Sequence, residues 1–232
     1  MFEVTTAWKS AFRDAHVGVL VMRSAANPAQ HPELEKCKAE LEEQLRAEFS
    51  GQDRAVLSSH PVFQAYNAYY KRFKKSYHVQ LQLESIAWKG KSIPSVSTLV
   101  EAMFMAEMKN MLLTAGHDFD VLSLPLTLDV SRGTEHYTLM RGQEQALKPD
   151  DMFISDQNGV ISSIIYGPDQ RSQITSNTHH VVFTIYAPGG IHAQTVEQHL
   201  HDIKGYVALI SPQADVEMLT VYGAEKFASK VQ

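Results

Sequence analysis

The feature that most constrains the fold is a change of hydrophobic periodicity near Asp120. Before it, apolar residues recur at helical spacing in long segments, and after it, short apolar runs alternate with polar turns such as DQNG. Helices first and strands later predict an α+β fold, in which helices pack against layered, mixed or antiparallel sheets. Because no repeat and no Gly/Ser/Pro-rich linker divides the chain, we expect one domain over residues 1–232.

Four helices and one strand are predicted in the first part of the chain. HVGVLVM has the pattern of a short buried strand, and the segment from Ser95 to Leu113 is so apolar around its circumference that it should form a buried helix. YHVQLQLESIAW also alternates in a way that suits a strand. The predicted helices are PELEKCKAELEEQLRAEF, HPVFQAYNAYYKRFKK, YHVQLQLESIAW and SVSTLVEAMFMAEMKNMLL.

Six strands and one helix are predicted in the second part. GVISSIIYG is apolar on both faces, which is typical of a strand in the middle of a layered sheet. It runs into a polar segment at Gly167-Pro168 that either holds a ligand or turns a corner. The strands are PLTLDV, HYTLM, DMFISD, GVISSIIYG, THHVVFTIYA and VEMLTVYG, and the helix is TVEQHLHDIKGYVALI.

Charge and composition argue against several classes of protein. A net charge of −5 does not suit a protein coated in nucleic acid, because non-specific affinity comes from neutralised phosphates. No window reaches the roughly 18 consecutive apolar residues of a membrane helix, and the N-terminus lacks the pattern of a signal peptide. The single cysteine, Cys37, fits a reducing compartment. We therefore expect a cytoplasmic protein without a DNA or membrane partner; the oligomeric state is left open.

Familiar motifs of metal, phosphate and covalent chemistry do not occur in the sequence. There is no HExxH, no CxxC, no Gly-rich phosphate loop and no Gly-x-Ser-x-Gly elbow. His179 and His180 are neighbours in a predicted strand and should point to opposite faces, while His199 and His201 are splayed around a helix. We therefore expect no metal site and no cofactor.

The segment YYKRFKKSY interleaves aromatic and basic residues. Cations neutralise phosphates and aromatic rings stack on bases, so this pattern suits a single-stranded RNA site. The basic last turn of an amphipathic helix explains it equally well. The candidate RNA-binding residues are Lys71, Arg72, Lys74 and Lys75.

The order of motifs between about residues 65 and 190 resembles the tRNA-editing B3/B4 domain of the bacterial phenylalanyl-tRNA synthetase beta subunit. GQEQALKPDDMFISDQNGVISSIIYGPDQRSQITSNT is similar to that family's glycine–glutamate turn, hairpin and pocket loop, and HDFD resembles its His-Ala-Phe-Asp motif. The catalytic and anticodon-binding parts of the synthetase are missing, so the chain resembles a free-standing member. The matching residues are His117, Phe119, Asp120, Gly142, Glu144, Asp156, Gly159, Gly167, Ser172 and Thr178.

The resemblance implies a function and a role for each site residue. The family's domain hydrolyses the ester of tyrosine wrongly attached to phenylalanine tRNA, which implies an aminoacyl-tRNA deacylase whose partners are tRNA and the amino acid moiety. His117 is then the catalytic residue near the ester, and Glu144 accepts the substrate hydroxyl. The pocket is shaped by Gly167, Ser172 and Thr178. An activated ester needs only a positioned water and donors for the oxyanion.

Two departures from the family pattern keep an alternative function open. Glu101-Ala102-Met103-Phe104 replaces the family's Asp-x-Thr-Asn, which exchanges polar pocket groups for apolar bulk, and Pro168 replaces one glycine of the pocket loop. The alternative is a non-catalytic module that binds RNA or a small molecule and retains the editing fold. Hydrolysis is favoured if Glu144 and His117 face one cavity, and binding alone if Met103 or Phe104 fills it.

Overall fold

The computed structural model describes residues 1–224 and confirms the predicted α+β fold. The helices are α1 (Thr6–Ala11), α2 (Pro32–Glu48), α3 (Arg54–Ser58), α4 (Pro61–Arg72), α5 (His78–Lys89), α6 (Thr98–Asn110) and α7 (Ala193–Ile210). The strands are β1 (Phe2–Val4), β2 (His16–Arg23), β3 (Leu113–Asp118), β4 (Leu126–Val130), β5 (His136–Thr138), β6 (Glu144–Ala146), β7 (Met152–Asp156), β8 (Gly159–Ser163), β9 (Gly167–Pro168), β10 (Val181–Ala187) and β11 (Asp215–Tyr222).

A four-stranded antiparallel sheet in the order β11-β2-β10-β3 carries helices on one face. All seven residues of β10 are buried because the strand pairs on both sides and both of its faces are covered. A Cβ on Gly18 of β2 would lie 2.7 Å from Val196 Cγ1 and 3.3 Å from Leu200 Cδ1, so the missing side chain lets α7 pack closely. β3 is left as an edge strand of this sheet.

A second, five-stranded sheet has the order β1-β4-β7-β8-β9, in which β1 and β4 are parallel and the other pairs are antiparallel. A separate two-stranded hairpin is formed by β5 and β6. The two large sheets are joined by a hydrogen bond between the hydroxyl groups of Tyr186 in β10 and Ser162 in β8, which lie 2.6 Å apart. The loop after β9 bonds the edge of β3, where the Asp118 N–H donates to the Ser172 carbonyl at 2.8 Å.

Stacked tyrosines fix the helices against the start of β3. The rings of Tyr66 and Tyr77 lie parallel with centroids 4.0 Å apart. The Tyr66 hydroxyl accepts the Leu113 N–H at 2.9 Å, and the Tyr77 hydroxyl donates to the Met111 carbonyl at 3.0 Å. These contacts hold the turn between α6 and β3 in place, which positions the cavity described below.

The structure differs from the sequence predictions at some element ends and in the position of one strand. α6 ends at Asn110 rather than Leu113, because Met111 takes a left-handed conformation with φ of 62° and its N–H bonds the Glu107 carbonyl. GVISSIIYG is not one long strand: β8 ends at Ser163, whose hydroxyl accepts the Tyr166 N–H and closes a turn. β8 lies one strand from the sheet edge rather than at the middle.

Some short helices and strands are not predicted from the sequence. α1, α3 and β1 have six, five and three residues, too few to show a period. His179 and His180, predicted to lie in a strand, precede β10. Within residues 1–224, no helix is long and apolar enough to cross a bilayer. The predicted single domain includes residues 225–232, which lie outside the described part.

Candidate functional site

A cavity of about 340 Å³ lies beside the edge strand β3, between α6, the start of α5 and the loop after β8. Its wall is mainly apolar, and the hairpin between β5 and β6 contributes Met140 at one side. The apolar lining residues are Val96, Val100, Met103, Phe104, Leu113, Ala115, Met140, Pro168 and Ile174. The polar lining residues are His78, Gln82, Glu107, Thr114, Ser163, Gln173 and Tyr186, with Gly116 and Gly167 completing the wall.

Gly116 of β3 determines how closely the cavity walls approach one another. A Cβ at this position would lie 2.8 Å from Ile174 Cδ1 and 3.2 Å from Met103 Sδ. A side chain at position 116 would therefore push α6 and the loop that carries Ile174 away from β3. Gly167, in contrast, has a φ of +80° and open space around its missing Cβ, so its backbone is accessible to a ligand.

Glu107 is the acidic group of the cavity wall. It lies on α6, is 2% exposed, and its Oε1 accepts the Thr114 N–H at 2.7 Å. Burial raises the pKa of this carboxyl to about 8, while the Thr114 hydrogen bond acts in the opposite direction. No salt bridge to Glu107 occurs among residues 1–224. At neutral pH the group is therefore mainly a neutral, hydrogen-bonding acid.

A second buried acid on α6, Glu101, has a different environment. Its Oε1 lies 2.9 Å from Lys38 Nζ, and the same ammonium donates to Ser95 Oγ at 2.7 Å. Glu101 is therefore compensated by a cation inside the protein and does not line the cavity. Of these two acids, only Glu107 faces the space that a ligand can enter.

His117 lies in a buried polar network behind the cavity loop. Its Nδ1 is 2.7 Å from Ser172 Oγ, and Ser172 donates its hydroxyl to Asp169 Oδ1. Ser172 consequently accepts the Nδ1–H of His117. Burial, together with the smaller effect of the nearby Arg171, lowers the pKa of His117 to about 3. The imidazole is thus neutral at physiological pH, and His117 Nε2 is buried without a hydrogen-bond partner among the described residues.

Further charged contacts hold the loop that carries this network. Arg171 binds Asp156 in a bidentate pair, with both N···O distances at 2.9 Å. Thr178 Oγ1 donates to Asp118 Oδ2 at 2.6 Å, which anchors the far end of the loop beside β3. These polar residues therefore fix the loop against β7 and β3.

The structure brings together only some of the predicted site residues. Gly167 lines the cavity, while Ser172 and His117 bond to each other behind the loop that lines it. Thr178 lies at the far end of that loop. Glu144 lies on β6, is exposed, and accepts a hydrogen bond from the Thr138 hydroxyl. Neither Glu144 nor His117 is among the residues that line this cavity.

Glu107 is a cavity-lining acid that the sequence analysis does not identify. It was included in a helix described as apolar around nearly its whole circumference. The signal in the sequence is the acidic side chain itself. An acid in so apolar a helix must either pair with another polar group or lie beside a cavity.

A sequence model of the B3/4 domain matches residues 64–203, which is more than half of the chain. The chain belongs to the B3/4 domain family. A solved structure, the N-terminal fragment of the phenylalanyl-tRNA synthetase beta-subunit from Pyrococcus horikoshii, is similar over 95% of this chain and 50% of that one, at 10% identity and a TM-score of 0.49. This chain therefore spans about half the length of that fragment. A search of curated proteins found no match.

The basic segment of this B3/4 domain lies beside the cavity rim. Lys75 Nζ is 4.6 Å from the centre of the Tyr166 ring, and Tyr166 directly precedes the cavity residue Gly167. Lys71, Arg72 and Lys74 are exposed as well. The Arg72 guanidinium lies over the rings of Tyr69 and Phe73 at 5.2 and 5.4 Å. In the described part of the B3/4 domain, no group of three or more His, Cys, Asp or Glu residues could hold a metal ion.

Proposed function

We propose that this B3/4 domain binds the aminoacyl end of a tRNA, with the amino acid side chain in the apolar cavity beside β3. The observation that carries the proposal is the position of this cavity next to Lys75, the last cation of the exposed basic segment Lys71 to Lys75. An aminoacylated RNA end has an apolar group and phosphates a short distance apart. The two surfaces match these two parts.

The lining of the cavity supports recognition of an apolar side chain. Met103, Phe104 and Ile174 offer no hydrogen bond to a substrate hydroxyl, and Glu144, the acceptor expected from the family, lies outside. A cavity of about 340 Å³ is at the small end of ligand pockets, which suits one amino acid side chain. Leucine-, methionine- or phenylalanine-like ligands are therefore favoured over tyrosine.

Hydrolysis of the aminoacyl ester is the second candidate. It is favoured by the open backbone at Gly167, where a water or the ester carbonyl can approach the main chain closely. Without His117 or Glu144 in the cavity, rate acceleration would depend on positioning rather than on a dedicated base. Binding is therefore the proposal, and deacylation is an outcome that the experiment below also measures.

The test uses amide-linked 3′-aminoacylamino-adenosine analogues, which cannot be hydrolysed at the ester position. We expect calorimetry to show tighter binding of leucyl, methionyl or phenylalanyl analogues than of the tyrosyl one. Phe104→Ala should weaken that binding about 5- to 10-fold, because a buried aromatic contact is lost. The matched control is Leu209→Ala on α7, which removes a side chain that is 39% exposed.

The RNA part is tested with intact aminoacylated tRNA. A triple change of Lys71, Lys74 and Lys75 to Gln should reduce the slope of log affinity against log salt by roughly 0.7 for each lost phosphate contact. A triple Gln variant of the exposed Lys36, Lys89 and Lys204 provides an equal change of charge. Equal slopes in both triple variants, or absence of analogue binding, would refute the proposal. Release of the amino acid from a mischarged tRNA panel would instead establish the second candidate.

A further inference from the structure

Glu107 is a buried carboxyl with few polar partners. A buried acid normally has a cation or several donors around it. The described residues give the Glu107 carboxyl one hydrogen bond, from the Thr114 N–H, and no ion pair. Because the residue also lines the cavity, a group inside the cavity can reach it.

The protein itself shows what completes such a site. On the same helix, Glu101 is equally buried and is compensated by the Lys38 ammonium at 2.9 Å. Six residues further along, Glu107 occupies a similar environment but faces a cavity instead of a lysine. A ligand ammonium would take the place that Lys38 takes beside Glu101.

We propose that Glu107 binds the α-ammonium group of the ligand, so that the cavity selects molecules with a cationic amine on a short apolar body. The inference rests on the proposed function, because it identifies the part of the aminoacyl group that the cavity recognises. Met103, Phe104 and Ile174 contact the apolar body while the carboxylate holds the amine. An N-acylated or deaminated ligand leaves Glu107 buried without its cation and binds more weakly.

The proposal implies a proton exchange with a defined pH dependence. Glu107 must ionise to pair with an ammonium, and burial raises its pKa to about 8. An α-amino group loses its proton near pH 7.7–8.0. Affinity should therefore rise from pH 6.5, reach a maximum near pH 8 and fall above it.

The other titratable groups near Glu107 do not produce this profile. Burial raises the pKa of Tyr66, Tyr70 and Tyr77, which therefore stay protonated. Burial lowers the pKa of His199, which bonds Thr114, to about 3, and burial lowers the pKa of His78 at the rim. Among the cavity-lining groups, Glu107 is thus the one whose ionisation changes between pH 6.5 and 9.5; Asp151, whose pKa burial raises to about 7, does not line the cavity.

The experiment compares L-leucinamide with 4-methylpentanamide, which differs only by the missing amine. In the wild type, leucinamide should bind about tenfold or more tightly, the ratio expected for a charged hydrogen bond. Glu107→Gln keeps an acceptor for the Thr114 N–H, and should bring leucinamide down to the affinity of 4-methylpentanamide and remove the rise of affinity with pH. Glu43→Gln on the exposed side of α2 is the control for loss of one charge.

Two outcomes overturn the inference and are distinct from failure of the proposed function. If both amides bind the wild type equally, or if Glu107→Gln binds leucinamide as tightly as wild type, Glu107 does not bind the amine, whereas binding in the cavity stands. If neither amide nor any aminoacylamino-adenosine binds, the proposed function fails and the inference fails with it. Unfolding curves for each variant confirm that lost affinity does not reflect lost structure.

Discussion

The cavity beside β3 and the polar network behind its loop are neighbours with opposite character. The network of His117, Ser172 and Asp169 is buried, and its hydrogen bonds are made within the protein, with His117 Nε2 alone left without a partner among the described residues. The cavity is lined mainly by apolar side chains, and its one acid forms no salt bridge among residues 1–224. The comparison teaches that polar residues recognisable from a family motif can stabilise the architecture, while the ligand contacts that we propose come from residues without a motif.

The largest expected difference between the two regions is in the pH dependence of stability. Glu107 keeps its proton to about pH 8 in the folded protein, whereas an unfolded Glu releases it near pH 4.3. The contribution of Glu107 to the free energy of unfolding is therefore fully present below about pH 4.3. It is lost as the pH rises to about 8, which lowers the free energy of unfolding by roughly 3–5 kcal/mol. The pH dependence that His117 contributes has the opposite sign. Because its pKa is lowered in the folded protein, the free energy of unfolding falls only as the pH falls below about 6.5.

Urea unfolding of wild type and Glu107→Gln at pH 5.5, 7 and 8.5 tests this contrast. The variant should gain stability over wild type as pH rises, and Glu43→Gln should not. Comparing variants also removes the contribution of Asp151, since burial raises its pKa to about 7 and gives it the same sign. If the free energy of unfolding changes with pH in the same way in all three proteins, the pKa of Glu107 is close to that of an ordinary glutamate.

The next effect in size concerns the buried network. His117→Ala removes a fully buried ring and the donor to Ser172, so we expect a loss of roughly 2–4 kcal/mol in the free energy of unfolding. Affinity for the aminoacylamino-adenosine, measured by calorimetry at a temperature where the variant is folded, should change less than in Phe104→Ala. A variant with wild-type stability and abolished deacylation would instead assign His117 a catalytic role.

The smallest effect is expected at Glu144. This side chain is exposed on β6, outside the cavity, and it accepts a hydrogen bond from the Thr138 hydroxyl. Glu144→Ala should therefore change both the unfolding free energy and ligand affinity by less than about 0.5 kcal/mol. A tenfold loss of affinity for a tyrosyl analogue would support the role that the family resemblance implies and would place the substrate hydroxyl beyond the cavity.

The comparison also shows which parts of the molecule the sequence predicts. Long periodic segments such as α2 and α4 show which face they bury, so their prediction needed no tertiary information. The end of α6 was missed because Met111 and Leu112 continue the apolar pattern, and only the turn geometry at Met111 shows the break. Glu107 is not identified from the sequence because its proposed role depends on its surroundings. It lies beside a cavity, and no cation pairs with it among residues 1–224.

The position of β3 at a sheet edge has a consequence for solubility. Unpaired N–H groups on edge strands recruit strands of other molecules. Here the Thr114 N–H is occupied by Glu107 and the Asp118 N–H by the Ser172 carbonyl, with Gly116 between them against the cavity. The residues that form the cavity therefore also protect the protein from strand-to-strand association, and a change that detaches the loop creates an aggregation-prone edge together with a defective site.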